Sequence, residues 1–112
     1  MDNMDKAVLS KILAESAIIN DLIRGYECDS FLTDERTKRA VSMTLINIGE
    51  LVKLLSDEFR QSNTSIPWRK IAGLRDVTAH GYQTLRMEDI WNTVIVDIPV
   101  LQKEINKIVN SF

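Results

Sequence analysis

The sequence predicts an all-α protein, an antiparallel four-helix bundle with a kinked last helix. Three observations carry that expectation. Apolar residues recur at helical spacings in several separate runs. No stretch alternates apolar and polar as a half-buried strand does. The breaks between the runs are polar or hold Gly and Pro. At 112 residues with one set of such runs, residues 1–112 read as a single domain.

The first run covers residues 4–27. Val8, Ile12, Ile19, Leu22 and Tyr26 lie 4, 7, 3 and 4 apart, which is one helical stripe. Gly25 suits the end of that helix, and residues 28–32 read as a connector. Thr33 is the expected N-cap of the second helix, with Asp34 and Glu35 in its first turn, where the helix dipole favours negative charge. The stripe that follows, Val41, Leu45, Ile48, Val52, Leu55 and Phe59, is spaced 4, 3, 4, 3 and 4. It forms a heptad-like seam for packing along another helix. Gly49 within it costs about 1 kcal/mol relative to Ala and points to close approach of a neighbouring backbone.

Residues 61–66 are polar and read as a loop. Pro67 fits the first position of a third helix, where its missing N–H costs nothing, and that helix is expected to run to Ala79 or His80, with Gly81 as its cap. A fourth helix begins at Met87. Its stripe is Trp91, Val94, Ile98, Leu101, Ile105, Ile108 and Phe112, and Pro99 inside it removes a hydrogen bond to the Ile95 carbonyl and should kink it.

Composition excludes several functions. The only cysteine, Cys28, permits no intrachain disulfide and fits a reducing compartment. No apolar run approaches the roughly 20 residues that span a bilayer, and the N-terminus does not resemble a signal peptide, so a cytoplasmic protein is expected. One His and one Cys far apart give no metal site, and no glycine pattern for a nucleotide cofactor is present, so neither metal nor cofactor is expected. The net charge of −2 argues against a general nucleic-acid coat protein. The charge is unevenly spread, however. Residues 60–86 hold Arg60, Arg69, Lys70, Arg75 and Arg86 against Asp76 alone, five positive minus one negative, or +4, while residues 1–59 sum to −4 and residues 87–112 to −2.

That basic zone contains the only histidine, in the stretch Arg75-Asp76-Val77-Thr78-Ala79-His80-Gly81-Tyr82. On a helix Asp76 and His80 share a face, so the carboxylate can fix the imidazole tautomer and leave the other ring nitrogen free for proton transfer. Arg75 is offset from His80 by about 140° and its guanidinium suits phosphate oxygens. Tyr82 can hydrogen-bond a ligand or be modified. Such a set suits RNA cleavage by the 2′-hydroxyl, which needs a base, an acid and positive charge on the transition state. One His per chain supplies half of an acid–base pair, and two chains across a two-fold axis supply both. Arg69 and Lys70 are the candidate RNA- or phosphate-binding side chains of the zone. The purely structural alternative is a His that caps a helix C-terminus through the dipole. Trp68 and Trp91 read as core side chains rather than stacking platforms.

Arg75-x4-His80-x-Tyr82 resembles the R-x4-H-x-Y signature of HepT-like toxins in the HEPN superfamily. Ile48-Gly49-Glu50, the lead-in Ile66-Pro67-Trp68-Arg69-Lys70-Ile71-Ala72-Gly73-Leu74, Ile90-Trp91 and Asp97-Ile98-Pro99 resemble the family pattern too, so the likeness spans about residues 8–108. It implies a homodimeric helical bundle whose two R-x4-H motifs line an interface cleft. The implied activity is that of a metal-independent endoribonuclease toxin in a type II toxin–antitoxin pair. Arg75 would steady the phosphate and His80 would be general base or acid. The implied partner is a minimal nucleotidyltransferase antitoxin that transfers AMP from ATP to Tyr82, placing bulk and negative charge beside His80. Many HEPN proteins have Asn after the motif Arg where this chain has Asp76, whose charge opposes an RNA phosphate. Two other functions compete: a non-catalytic nucleotide- or substrate-binding subunit of a nucleotidyltransferase, and a helical dimerisation module without a small ligand.

Overall fold

A computed structural model describes residues 2–76 and 86–111, with the backbone alone for Arg75 and Asp76. The sequence expectations for His80, Gly81, Tyr82 and Phe112 lie outside the described residues. Among those residues the chain is helical, without a strand. The elements are α1 (Asn3–Leu22), α2 (Cys28–Leu32), α3 (Glu35–Val52), α4 (Asp57–Ser62), α5 (Trp68–Ala72) continued by a 3₁₀ turn (Gly73–Asp76), and α6 (Met87–Asn92) joined through a π segment (Thr93–Asp97) to α7 (Ile98–Asn110).

Four rods form the bundle: α1, α3, α5 with its 3₁₀ turn, and the joined α6–π–α7. Cross-contacts fix their directions. Asp5 meets Ser56 and Glu15 meets Asn47, so α1 and α3 run antiparallel. Ser65 meets Glu104 and Lys70 meets Asp97, so α5 and α7 run antiparallel as well. Both tryptophans belong to the packing: Trp68 is buried against Phe59 (ring centroids 5.9 Å), and Trp91 lies 5.1 Å from Phe31. The α3 seam is the centre of the core, with Val41, Leu45, Ile48 and Val52 fully buried. Val8, Ile12 and Ile19 of α1 and Ile98, Leu101 and Ile105 of α7 close over it. The expected stripes therefore face inward. Burying such a side chain stabilises by about 1.5–3 kcal/mol, and these interlocking faces hold helices too short to persist alone.

From α1 to α4 the boundaries differ from expectation at four places, each for a physical reason. Helix α1 stops at Leu22 because Gly25 turns the chain with φ +80, a conformation that favours glycine. The connector is itself a short helix, α2, which buries Phe31 completely. The N-cap of α3 is Asp34 and not Thr33, since the Asp34 carboxylate accepts from Thr37 N while the Thr33 hydroxyl bonds back to the α2 carbonyls of Asp29 and Ser30. Finally, the seam from Val41 to Phe59 does not lie on one helix. Helix α3 ends at Val52 and α4 starts after Ser56, whose hydroxyl accepts from Phe59 N at 3.1 Å. The turn between them swings Leu55 and Phe59 back into the same core.

Candidate functional site

The basic zone begins on α4 and continues along α5. Pro67 is the N-cap of α5 and not its first helical residue, so the helix opens one place later than expected, at Trp68. The Trp68 indole N–H donates to the Asn63 carbonyl at 2.9 Å, and Ile66 and Ile71 are buried on either side. These anchors orient α5 without help from helix propensity, which is weak for five residues. At Gly73 the α-turns tighten into the 3₁₀ turn, which packs on α3. Beyond its chain neighbours and the nearby backbone of its own helix, no described heavy atom lies within 4 Å of the position a Gly73 Cβ would take, so the glycine marks a change of backbone geometry and not a close contact.

The tightening decides which cations share a side. Three residues at α geometry and three at 3₁₀ geometry place the Arg75 backbone about 10 Å along the axis from Arg69 and about 60° around it. Continued α geometry would make that offset about 120°. Lys70 falls about 200° from Arg75, close to the opposite side. The two adjacent cations therefore diverge. Arg69 is exposed and makes no ion pair among the described residues. Lys70 Nζ lies 2.8 Å from Asp97 Oδ2, a carboxylate that the π segment holds nearly buried. Its charge is balanced within the chain.

The remaining cations of the zone are also placed. Arg60 is ion-paired with Asp57 at 2.6 Å, and exposed Arg86 stands at the start of α6, 3.9 Å from Asp89. Among the described residues no group of His, Cys, Asp and Glu is arranged to hold a metal ion, and no helix is long and apolar enough to cross a membrane. Of the residues proposed to carry the chemistry, the structure thus positions the backbone of Arg75 and Asp76 and the side chains of Arg69 and Lys70, while His80 and Tyr82 lie beyond the described chain.

An antiparallel helical bundle that carries the arginine of an R-x4-H-x-Y motif on its third rod defines a domain of the HEPN class. Comparison with known proteins narrows this. Residues 12–108 match the family described as Ribonuclease HepT-like, and the chain belongs to that family. It is 36% identical over 103 residues to "Putative RNase TTE0752" of Caldanaerobacter subterraneus subsp. tengcongensis, covering 92% of each chain. It is 38% identical over 106 residues to "Putative RNase MJ0127" of Methanocaldococcus jannaschii, covering 95% of this chain and 88% of that one. With "Probable ribonuclease HepT" of Thermococcus cleftensis the identity is 32% over 108 residues, covering 96% and 98%. No solved structure matches the chain.

Proposed function

We propose that this protein is an endoribonuclease that cleaves RNA without a metal, through Arg75 and His80, and that it acts as the toxin of a type II toxin–antitoxin pair in the cytoplasm. The observation that carries the reading is the complete R-x4-H-x-Y motif in a chain that matches a ribonuclease family over residues 12–108. The anchored α5 rod supports it, because it delivers the Arg75 backbone from a rigid core.

In this reading His80 accepts the proton of the RNA 2′-hydroxyl. The 2′-oxygen forms a bond to phosphorus, the bond from phosphorus to the 5′-oxygen breaks, and the leaving oxygen takes a proton from an acid. Arg75 holds the negative charge that builds on the phosphoryl oxygens. Asp76 orients the imidazole. Since each chain has one histidine, a homodimer joins two motifs in one cleft, and the second copy of His80 serves as the acid. Arg69 adds a phosphate contact, and Lys70 joins only where a phosphate displaces Asp97. A minimal nucleotidyltransferase antitoxin silences the site: the Tyr82 hydroxyl gives up its proton to solvent as its oxygen bonds to the α-phosphorus of ATP, the bond from that phosphorus to the bridging oxygen breaks, pyrophosphate leaves, and the attached AMP blocks RNA by bulk and charge.

The test is digestion of RNA by purified protein with EDTA present. The wild type should cleave, and His80→Ala and Arg75→Ala should each lose about 10²–10⁴-fold in rate with unchanged thermal melting. The same two variants should relieve growth arrest on overexpression. Undiminished cleavage in both variants removes the catalytic assignment, and nucleotide binding with no cleavage at any concentration favours the binding-subunit reading. Sedimentation should show a dimer at working concentration; a fully active monomer sinks the shared site. Co-expression with the antitoxin should raise the mass of the Tyr82 peptide by whole AMP units.

A further inference from the structure

Beside the anchored α5 rod, a groove of about 430 Å³ opens between α4 and α5. Arg60 and Arg69 line it from opposite helices, Thr64 and Asp57 flank them, and buried Trp68 closes the bottom. Two features of these side chains are not explained by the fold. The Arg60 Nε is buried and has no hydrogen-bond partner, although its guanidinium is tied by Nη2 to Asp57. That nitrogen is shielded from solvent, so an anion in the groove meets the partly exposed remainder of the Arg60 guanidinium. Arg69, the second residue of α5, is exposed, has no ion-pair partner among the described residues and lines the same groove. With Asp57 counted, the groove carries two positive charges against one negative.

We infer that this groove binds the phosphate backbone of the RNA substrate next to the cleavage site, with Arg60 and Arg69 as its anion contacts. The inference rests on the ribonuclease reading above and extends it from the reacting bond to a path along the strand. The path follows from the backbone: Arg69 lies about 10 Å back along the rod from the Arg75 backbone and about 60° around it, so a strand that follows the rod away from the motif passes Arg69. Arg is suited to this task because its planar fork grips two phosphate oxygens and keeps its charge. The contact is with the backbone, so it positions RNA without selecting sequence. Asp57 opposes it and limits its strength.

The experiment measures binding of a short single-stranded 2′-O-methyl RNA, which cannot be cleaved through its 2′-oxygen, by fluorescence anisotropy between about 50 and 200 mM salt. Each of Arg60→Gln and Arg69→Gln should lower the magnitude of the slope of log K against log salt by about 0.7. Asp57→Asn should tighten binding. Arg24→Gln, in the turn that follows α1, should leave the slope alone. On a cleavable RNA the two groove variants should raise KM roughly 5- to 10-fold and move kcat less than about twofold, the mark of lost uniform binding. Arg60→Gln also loses the link to Asp57 and is checked by melting; exposed Arg69 carries no such complication. Wild-type slope and KM in Arg69→Gln and in folded Arg60→Gln overturn the groove while cleavage that depends on His80 still stands. A wild type that neither binds nor cleaves RNA overturns the ribonuclease reading and the groove with it.

Discussion

Single carboxylates set the two ends of α3. At its start, Asp34 accepts from the Tyr26 hydroxyl and from Thr37 N at 3.0 Å, and Tyr26 Oη also lies 3.0 Å from Thr37 Oγ1. The Tyr26 bond first, then the Thr37 amide, hold the Asp34 carboxyl below its ordinary value of 3.8. Glu35 is lowered too, chiefly by its hydrogen bond to Lys38. A lowered native pKa means that the unfolded chain binds the proton more readily. The stabilisation is therefore complete above the ordinary value and is lost as pH falls through the native one. Asp34→Asn keeps a capping side chain but cannot titrate. Melting temperature from pH 6 down to pH 3 should fall less steeply in Asp34→Asn than in the wild type; parallel curves would refute the assignment. At the other end, buried Asp5 accepts from Ser56 N at 2.9 Å and Ser56 Oγ at 2.7 Å, which holds the cap of α4 in place. Neither contact was legible in the sequence. Thr33 and Asp34 are both good caps, and the hydroxyl of Tyr26 decided between them; Asp5 and Ser56 are 51 residues apart.

At the scale of elements, the π segment explains how one rod tolerates Pro99. The kink expected at the proline takes the form of a wide turn just before it. Ile98 N–H reaches back five residues to the Thr93 carbonyl, and Pro99 then sits in the first turn of α7, where a proline is accommodated. The extra residue in this turn also sets which side chains face out. Ile95, Val96 and Val100 become exposed while Asp97 turns inward to Lys70. If the wide turn has absorbed the ring, Pro99→Ala should change the free energy of unfolding in urea by less than about 1 kcal/mol, against about 3 kcal/mol for a proline in an unrelieved helix interior. A gain near the larger figure would show that the ring remains strained. The same scale separates Arg69 from Lys70. They are adjacent in sequence and of one charge, yet helix geometry sends them to different sides, and of the two only Arg69 lines the groove.

For the whole molecule, the core is a single body built on the α3 seam. Ile48, fully buried among α1, α3 and α7 residues, should cost about 2–5 kcal/mol on truncation to Ala, read as a shift of the urea midpoint with unchanged slope. A cost below about 1 kcal/mol would mean that the bundle can collapse around the gap. The sequence by itself determined the helical class, the inward stripes, the basic zone and the motif residues. These are matters of residue type and of spacing within a few turns, which a periodic backbone converts directly into a face. Only the tertiary structure decided where α3 stops, that Lys70 is balanced by Asp97, and that Arg60 and Arg69 meet across one groove. Each of those depends on a partner brought from a distant element or on a local change from 3.6 to 3 residues per turn, and no short-range pattern records either.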